Sequence, residues 1–281
     1  MPGIAAPVLA ALTQFAVGGL WAQTLVPLPA IQRGFFVICT LSLLAVEAIV
    51  LWVLGATAVW QPGGGPFLGP ALLSTRAGLP LLGAAAFGAS LLAYLVSLGL
   101  AGEKGVRLTR AAALLLGGGL LVVEAWGGGE ALGPLGFFLR LGNAALGAAL
   151  LGLAFVGMLL GHSYLNAPHL PLWLIDRLSR VFLWAVLARG CYPVVAGALL
   201  WVGEDLGPGP ALAGLQEHLL LVILRLGVGV GGSLTVALII RNCLRLPNVQ
   251  AATGFYYVAM LTVFLGEVLG RFLLALANLP L

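Results

Sequence analysis

The chain has 281 residues, of which 61% are hydrophobic and only 8% are charged. Soluble domains carry about 25% charged residues, so this composition excludes a soluble protein and indicates one integral membrane domain over residues 1–281. The net charge of +4 does not indicate a nucleic-acid partner, because most of the basic residues lie in short segments between apolar runs, where they act as topology signals.

Apolar runs of about 20 residues, the length that a helix needs to cross a bilayer, occur eight times. Their approximate spans are 7–26, 35–58, 79–101, 110–127, 134–161, 179–202, 217–240 and 252–277. The first 32 residues contain no basic residue, so we expect the first run to be a retained helix rather than a cleaved signal peptide. The sequence therefore predicts an all-α, polytopic membrane protein whose eight transmembrane helices form four consecutive helical hairpins.

The segments between these runs alternate in charge. Those inside each successive pair of runs hold eight of the 13 basic residues: Arg33, Lys104, Arg107, Arg110, Arg177, Arg180, Arg241 and Arg245. The segments between pairs are acidic or rich in glycine and proline, with Glu130, Glu204, Asp205 and Glu217. Because basic loops stay in the cytoplasm, we expect the hairpin turns inside, both termini outside, and a location in the cell inner membrane.

The four helix pairs have features of divergent copies. GASLLAYL begins at Gly88 and GGSLTVAL at Gly231, and a glutamate follows 36 residues after each glycine, at Glu124 and Glu267. The third pair contains GAALLGLA at Gly147. This spacing suggests hairpin repeats over residues 1–60, 78–128, 133–203 and 215–281.

Several ionisable side chains fall inside the apolar runs, where charge is costly and is a functional-site hypothesis by default. They are Glu47, Glu124, Arg140, Arg189, Arg225, Glu267 and Arg271. Most share the outer half of the membrane, which predicts ion pairs between helices, and Glu267 and Arg271 have the i,i+4 spacing of a pair on one helix.

Two interpretations of these charges stay open. Either the ion pairs only hold the helices together, or the charged residues line a polar pocket that opens outward. In such a pocket a carboxylate accepts protons, or a guanidinium holds the carbonyl of a quinone headgroup. Asn143, one turn from Arg140, fits this pocket, as do Gln14 and Gln23 in the first run.

The histidines do not favour a metal or haem site. A bis-histidine haem needs two ligands at one depth, whereas His162 and His169 lie near the cytoplasmic end and His218 lies near the outer end. No catalytic motif stands in a usable context, so we expect no metal, no intrinsic cofactor and no catalysis by this chain alone. The turn residues are candidates for contact with a partner or an anionic lipid: His162, His169, Arg177, Arg180, Arg241 and Arg245.

The last helix pair resembles the membrane-anchor subunits of dimethyl-sulfoxide-reductase-type respiratory enzymes. The matching features are Arg225 early in the seventh run and the Gly266, Glu267, Gly270 and Arg271 run in the eighth. Eight helices with both ends outside are also similar to that family. The resemblance implies a subunit without redox cofactors that anchors electron-transfer partners and helps to bind quinol.

The first functional hypothesis is accordingly an integral subunit of a respiratory electron-transfer complex, with other redox subunits as partners and a quinone as candidate ligand. The second is a small-molecule or proton-coupled transporter, which repeated hairpins and intramembrane carboxylates suit. The third is a structural or assembly subunit without a ligand site, whose buried charges only join helices.

Overall fold

The computed structural model describes residues 2–59, 78–127, 133–167, 170–202 and 216–277, and these ranges contain helices and turns but no strand. Eight of the helices are long and apolar enough to cross a membrane, which confirms the predicted fold class. They are α1 (Pro2–Gln23), α2 (Arg33–Val59), α3 (Gly78–Leu100), α4 (Glu103–Gly127), α5 (Gly133–Asn166), α6 (Trp173–Val202), α7 (Leu219–Arg245) and α8 (Val249–Ala277). The outside location of the termini stays a prediction.

Helix ends differ from the predicted spans where charged residues continue a helix beyond its apolar part. Helix α4 begins at Glu103 rather than 110, and α6 begins at Trp173 rather than 179. The headgroup region adds about 10–15 Å to the hydrocarbon core, so a helix can extend into it with charged residues. Helix α1 instead ends at Gln23, three residues early, because the chain turns ahead of Pro27 and Pro29.

The two helices of a pair are joined at one end of the bundle, and the described turns there are formed by residues 24–32, 101–102 and 246–248. Helix α5 ends and α6 begins at this same end. We name this the turn end, and the opposite end, where α1 begins and α8 finishes, the termini end. Two caps stabilise the turn end. Arg33 Nη1 donates to the carbonyls of Leu98 and Ala101 at the end of α3, each at 3.1 Å, and Asn248 Oδ1 accepts from the amide of Ala251 at the start of α8, at 3.0 Å.

Helix α5 is the centre of the bundle. It has 34 residues, about 51 Å at 1.5 Å per residue, and it packs against α1, α4, α6 and α8. The outer helices turn large apolar side chains away from the protein, among them Trp52, Trp126, Trp184 and Leu261. These faces suit lipid contact, because lipid tails are as apolar as the side chains.

Helices α1 and α5 approach each other through glycines. A Cβ added at Gly18 would lie 1.7 Å from the carbonyl oxygen of Ala148, and one at Gly152 would lie 2.0 Å from the carbonyl oxygen of Gly18. Such contacts leave no room for a side chain, and they bring the backbones together as small residues do in membrane helix pairs. The α1–α5 contact therefore fixes the middle of the bundle.

We expect Gly152→Ala to lower the free energy of unfolding by about 1–3 kcal/mol or more, because the new methyl would press on backbone that cannot move aside. The matched control is Gly118→Ala in α4, where a Cβ would meet nothing within 4 Å. Unfolding of detergent-solubilised protein by sodium dodecyl sulfate, followed by circular dichroism, measures both. Equal stability of the two variants would contradict the close α1–α5 contact.

Candidate functional site

Polar side chains from six helices, all buried or nearly so, meet in the half of the bundle towards the termini end; the side chain of Glu124 is 21% exposed. They lie late in α4, α6 and α8, early in α5 and α7, and in the middle of α1. We name this set the arginine–glutamate cluster: Gln14, Glu124, Asn143, Arg189, Arg225, Glu267 and Arg271. It contains the interhelical ion pairs that the sequence predicts.

Glu267 is the centre of the cluster. Arg189 binds its carboxylate with two parallel hydrogen bonds, Nε to Oε1 at 2.8 Å and Nη2 to Oε2 at 2.9 Å. Arg225 Nη2 donates to Oε1 from the other side, at 3.1 Å. The side chain of Glu267 is 0% exposed and those of both arginines are 2% exposed. Bidentate arginine–carboxylate pairs are among the strongest hydrogen-bonded contacts in proteins, so this contact ties α6, α7 and α8 together.

Arg189 is positioned by two further groups. Its Nη1 donates to Asn143 Oδ1 of α5, and its guanidinium carbon lies 5.9 Å from the centre of the Tyr192 ring, within cation–π range. The Tyr192 hydroxyl in turn donates to the carbonyl of Leu139. The first turns of α5 and the last turns of α6 are therefore held together by polar contacts.

The second half of the cluster joins α1, α4 and α8. Arg271 Nη1 lies 2.9 Å from Glu124 Oε1, and Gln14 Nε2 donates to the same oxygen at 3.1 Å. The i,i+4 spacing predicts an ion pair between Glu267 and Arg271, but the structure pairs Arg271 with Glu124 instead. Both oxygens of Glu267 already bind Arg189 or Arg225, so Arg271 pairs with a carboxylate of another helix.

Glycines make room for the cluster. A Cβ at Gly147 of α5 would lie 2.6 Å from Glu267 Oε2 and 2.7 Å from Gln14 Oε1, so this one position borders both halves. A Cβ at Gly266 would lie 2.5 Å from the Cα of Gly229 and 2.9 Å from Arg225 Nη1. The sequence marks Gly147 as a repeat signal and Gly266 as part of the motif that resembles the respiratory anchors. Their further role is to let backbone and charged side chains share a small volume.

Helix α7 changes its winding at the cluster. It is α-helical over Leu219–Leu224 and again over Ser233–Arg245, but Arg225–Gly232 form a π-helix. Wider π-turns are rare and occur frequently at functional sites. Sequence reasoning missed this segment because GVGVGG, with its glycines at 227, 229, 231 and 232, also suits close helix packing.

The cluster has more hydrogen-bond donors than it uses. Within the described part of the chain, Arg225 Nε and Nη1, Arg271 Nε and Nη2, and Asn143 Nδ2 are buried without an acceptor. The unused acceptors are Glu124 Oε2 and Gln14 Oε1. Three arginines face two glutamates, so with all five ionised the cluster carries one positive charge in excess. An arrangement that only locked helices would gain from a balanced set.

Two further predicted site residues lie in the apolar spans. Arg140 is half-buried in α5, three residues before Asn143. Glu47 is fully buried in α2, where its Cγ would be 3.4 Å from a Cβ added at Gly88 of α3. Gln23, at the end of α1, is also fully buried, and neither polar atom of its side chain has a hydrogen-bond partner.

Two of the turn-end candidates, Arg180 and Arg241, meet at Asp176. Its carboxylate binds Arg241 of α7 and lies 3.3 Å from Arg180 Nη2, and Arg241 also donates to Ser179 Oγ at 3.0 Å. Arg177, Arg245 and His162 are exposed, and His169 lies outside the described residues. Among the residues that the structure describes, no three histidines, cysteines or acidic residues form a group that could hold a metal ion.

Comparisons of the chain with protein-family models, with curated proteins and with solved structures give no match. The resemblance to respiratory membrane anchors therefore stays a prediction from residues. Those residues do lie together: Arg225 binds Glu267, Gly266 packs on Gly229, and Arg271 follows one turn after Glu267.

We expect Glu267→Gln to lower the free energy of unfolding by about 3–5 kcal/mol, because it leaves Arg189 and Arg225 buried without their carboxylate. Glu103→Gln is the matched control. It removes the partner of Arg107 in an exposed i,i+4 pair, and such pairs contribute at most about 1 kcal/mol. Denaturation in mixed micelles measures both variants, and a loss at Glu267 no larger than that at Glu103 would contradict the central position of this ion pair.

Proposed function

We propose that this chain is an integral membrane subunit of a respiratory electron-transfer complex, located in the cell inner membrane. It holds a quinone or quinol headgroup in the arginine–glutamate cluster and anchors redox partners that carry the electrons. The chain itself contributes binding groups and no redox cofactor.

The surplus of buried donors is the observation that supports this proposal. A quinone carbonyl only accepts hydrogen bonds, and the unused nitrogens of Arg225, Arg271 and Asn143 only donate them. The unused oxygens of Glu124 and Gln14 suit the hydroxyl of a quinol. A buried polar group without a partner costs about 1–3 kcal/mol, so a ligand that satisfied several of them would bind with a substantial gain.

The depth of the cluster favours a lipid-soluble ligand over a water-soluble one. The cluster lies on helices that are long and apolar enough to cross a membrane. A quinone reaches such a site from the bilayer, and its apolar tail stays in lipid. An anion would have to lose its hydration shell on entry, which is costly for a charged group.

The exposed basic side chains of the turn end suit contact with a partner subunit or with anionic lipid. They include Lys104, Arg107, Arg177, Arg180 and Arg245. Anionic headgroups attract basic residues near the membrane surface with about 1 kcal/mol for each side chain. The same charge would orient an acidic partner on this face.

A transporter is the second candidate, and the π-helical segment of α7 is the observation that favours it. Transporters bind substrates where helices depart from regular geometry near the membrane midplane, and Arg225–Gly232 depart from it beside the cluster. Uptake of a small anionic solute by proteoliposomes, lost in Arg225→Gln, would support this candidate over the quinone site.

We expect Arg225→Lys to weaken binding of a short-chain quinone at least about tenfold. Lysine keeps the positive charge beside Glu267 but removes the planar set of donors. One hydrogen bond to a charged group contributes about 1.5–3 kcal/mol. A loss of about 1.4 kcal/mol raises the dissociation constant tenfold. Titration of the protein in nanodiscs with a short-chain quinone, followed by isothermal calorimetry, measures the change.

Arg241→Lys is the control, because Arg241 lies at the turn end and binds Asp176. This variant should bind the quinone as tightly as the wild type does. Arg271→Lys is the second cluster variant and should also bind more weakly. No binding by the wild type, or equal binding by all variants, would overturn the quinone site. Purification from native membranes tests the remainder of the proposal: redox subunits should copurify, and a chain that runs alone would contradict it.

A further inference from the structure

Glu47 differs from the other buried glutamates in having no polar partner. It lies in the middle of α2, its side chain is 0% exposed, and neither carboxylate oxygen has a hydrogen-bond donor in the described part of the chain. Gly88 of α3 is one neighbour: a Cβ added there would lie 3.4 Å from Glu47 Cγ and 3.5 Å from Leu51 Cδ1. The carboxyl group is therefore buried at a helix contact without a hydrogen bond from the described residues.

The helices packed against α2 bring no cation to this carboxyl group. Helix α2 contacts α1, α3 and α5. Between residues 2 and 23 helix α1 has no ionisable side chain, and α3 has only Tyr94, six residues from Gly88. The ionisable residues of α5 are Arg140, His162 and Tyr164 near its two ends, and those of α2 itself are Arg33 and Cys39. Arg33 is held by the carbonyls of α3 at the turn end.

An ionised carboxylate in these surroundings would have neither water, nor a donor, nor an opposite charge, and such a group takes up a proton instead. Glu267 has the opposite environment, since two arginines bind both its oxygens. We propose that Glu47 is a proton-binding site within the membrane: it holds a proton as a neutral carboxylic acid, whereas Glu267 stays ionised. This inference does not depend on which ligand the arginine–glutamate cluster binds.

The proton site lies at about the depth of the cluster. Leu43, one turn before Glu47, packs on Gly19 of α1, because a Cβ at Gly19 would lie 2.5 Å from Leu43 Cδ2. Helix α2 runs towards the termini end and α1 runs away from it, so Glu47 is level with the turn of α1 that contains Gln14. The chain thus has a neutral acid and an ionised acid at similar depth on different helices.

Infrared spectroscopy in nanodiscs tests the protonation state directly. The wild type should show the carbonyl band of a protonated carboxylic acid that shifts in deuterium oxide, and E47Q should lose this band while its carboxylate bands stay unchanged. Glutamine has nearly the shape of the neutral acid, so E47Q should fold and unfold as the wild type does. A difference spectrum in which E47Q loses carboxylate bands instead would overturn the proposal.

Chemical labelling of the wild type gives an answer even if E47Q does not fold. An apolar carbodiimide adds to a protonated carboxyl group, the acid proton moves to a carbodiimide nitrogen, and the adduct rearranges to a stable N-acylurea without a leaving group. Mass spectrometry at neutral pH should find this adduct on Glu47 and not on Glu267. The exposed Glu103 is the comparison and should react only in an acidified sample. A reagent that modifies Glu103 in acid but leaves Glu47 unmodified at both pH values would overturn the proposal.

Discussion

The carboxylate of Glu267, held between Arg189 and Arg225, is the interaction on which the termini end of the bundle depends. Charges in an apolar span are rare and usually pair closely, and this one carboxylate pairs with guanidinium groups from two other helices. The geometry requires α6, α7 and α8 to approach within hydrogen-bond distance, which glycines permit at Gly229 and Gly266. The ion pairs therefore depend on the glycines, because larger residues at Gly229 and Gly266 would keep the helices too far apart for the charged side chains to meet.

Stability alone does not account for the composition of the cluster. A set of ion pairs that only joined helices would be most stable with its donors and acceptors matched, and replacing buried pairs by apolar side chains is often neutral or favourable. The cluster instead keeps an arginine in excess, with unused nitrogens on Arg225 and Arg271. The π-helical turns that begin at Arg225 add a backbone geometry that regular packing does not need. Both features are the basis of the proposed ligand site.

The sequence predicts the helices well because a helix that crosses a bilayer needs a continuous apolar run, which can be found in the sequence. It also identifies most of the cluster residues, because a charged residue inside an apolar run can be recognised without a structure. It does not predict their partners. Spacing along α8 suggests that Glu267 pairs with Arg271, but Glu124 lies on α4, and only the three-dimensional packing brings it to Arg271. The same reason separates Glu47 from the cluster: its sequence context resembles that of the other acids in apolar runs, and only the structure shows that no described side chain donates a hydrogen bond to it.

The ion pairs at the two ends of the bundle differ in how far they are exposed to water. At the turn end, Asp176 binds Arg241 and Arg180 while its side chain is 39% exposed, so water can complete whatever the pairing leaves unsatisfied. At the termini end, Arg225 is 2% exposed and water does not reach its unused nitrogens. An exposed pair of this kind adds little to stability, whereas unmatched donors in a dry site require an acceptor that the described chain does not supply. This difference in hydration, rather than the number of charges, is the reason for proposing a ligand site at the termini end.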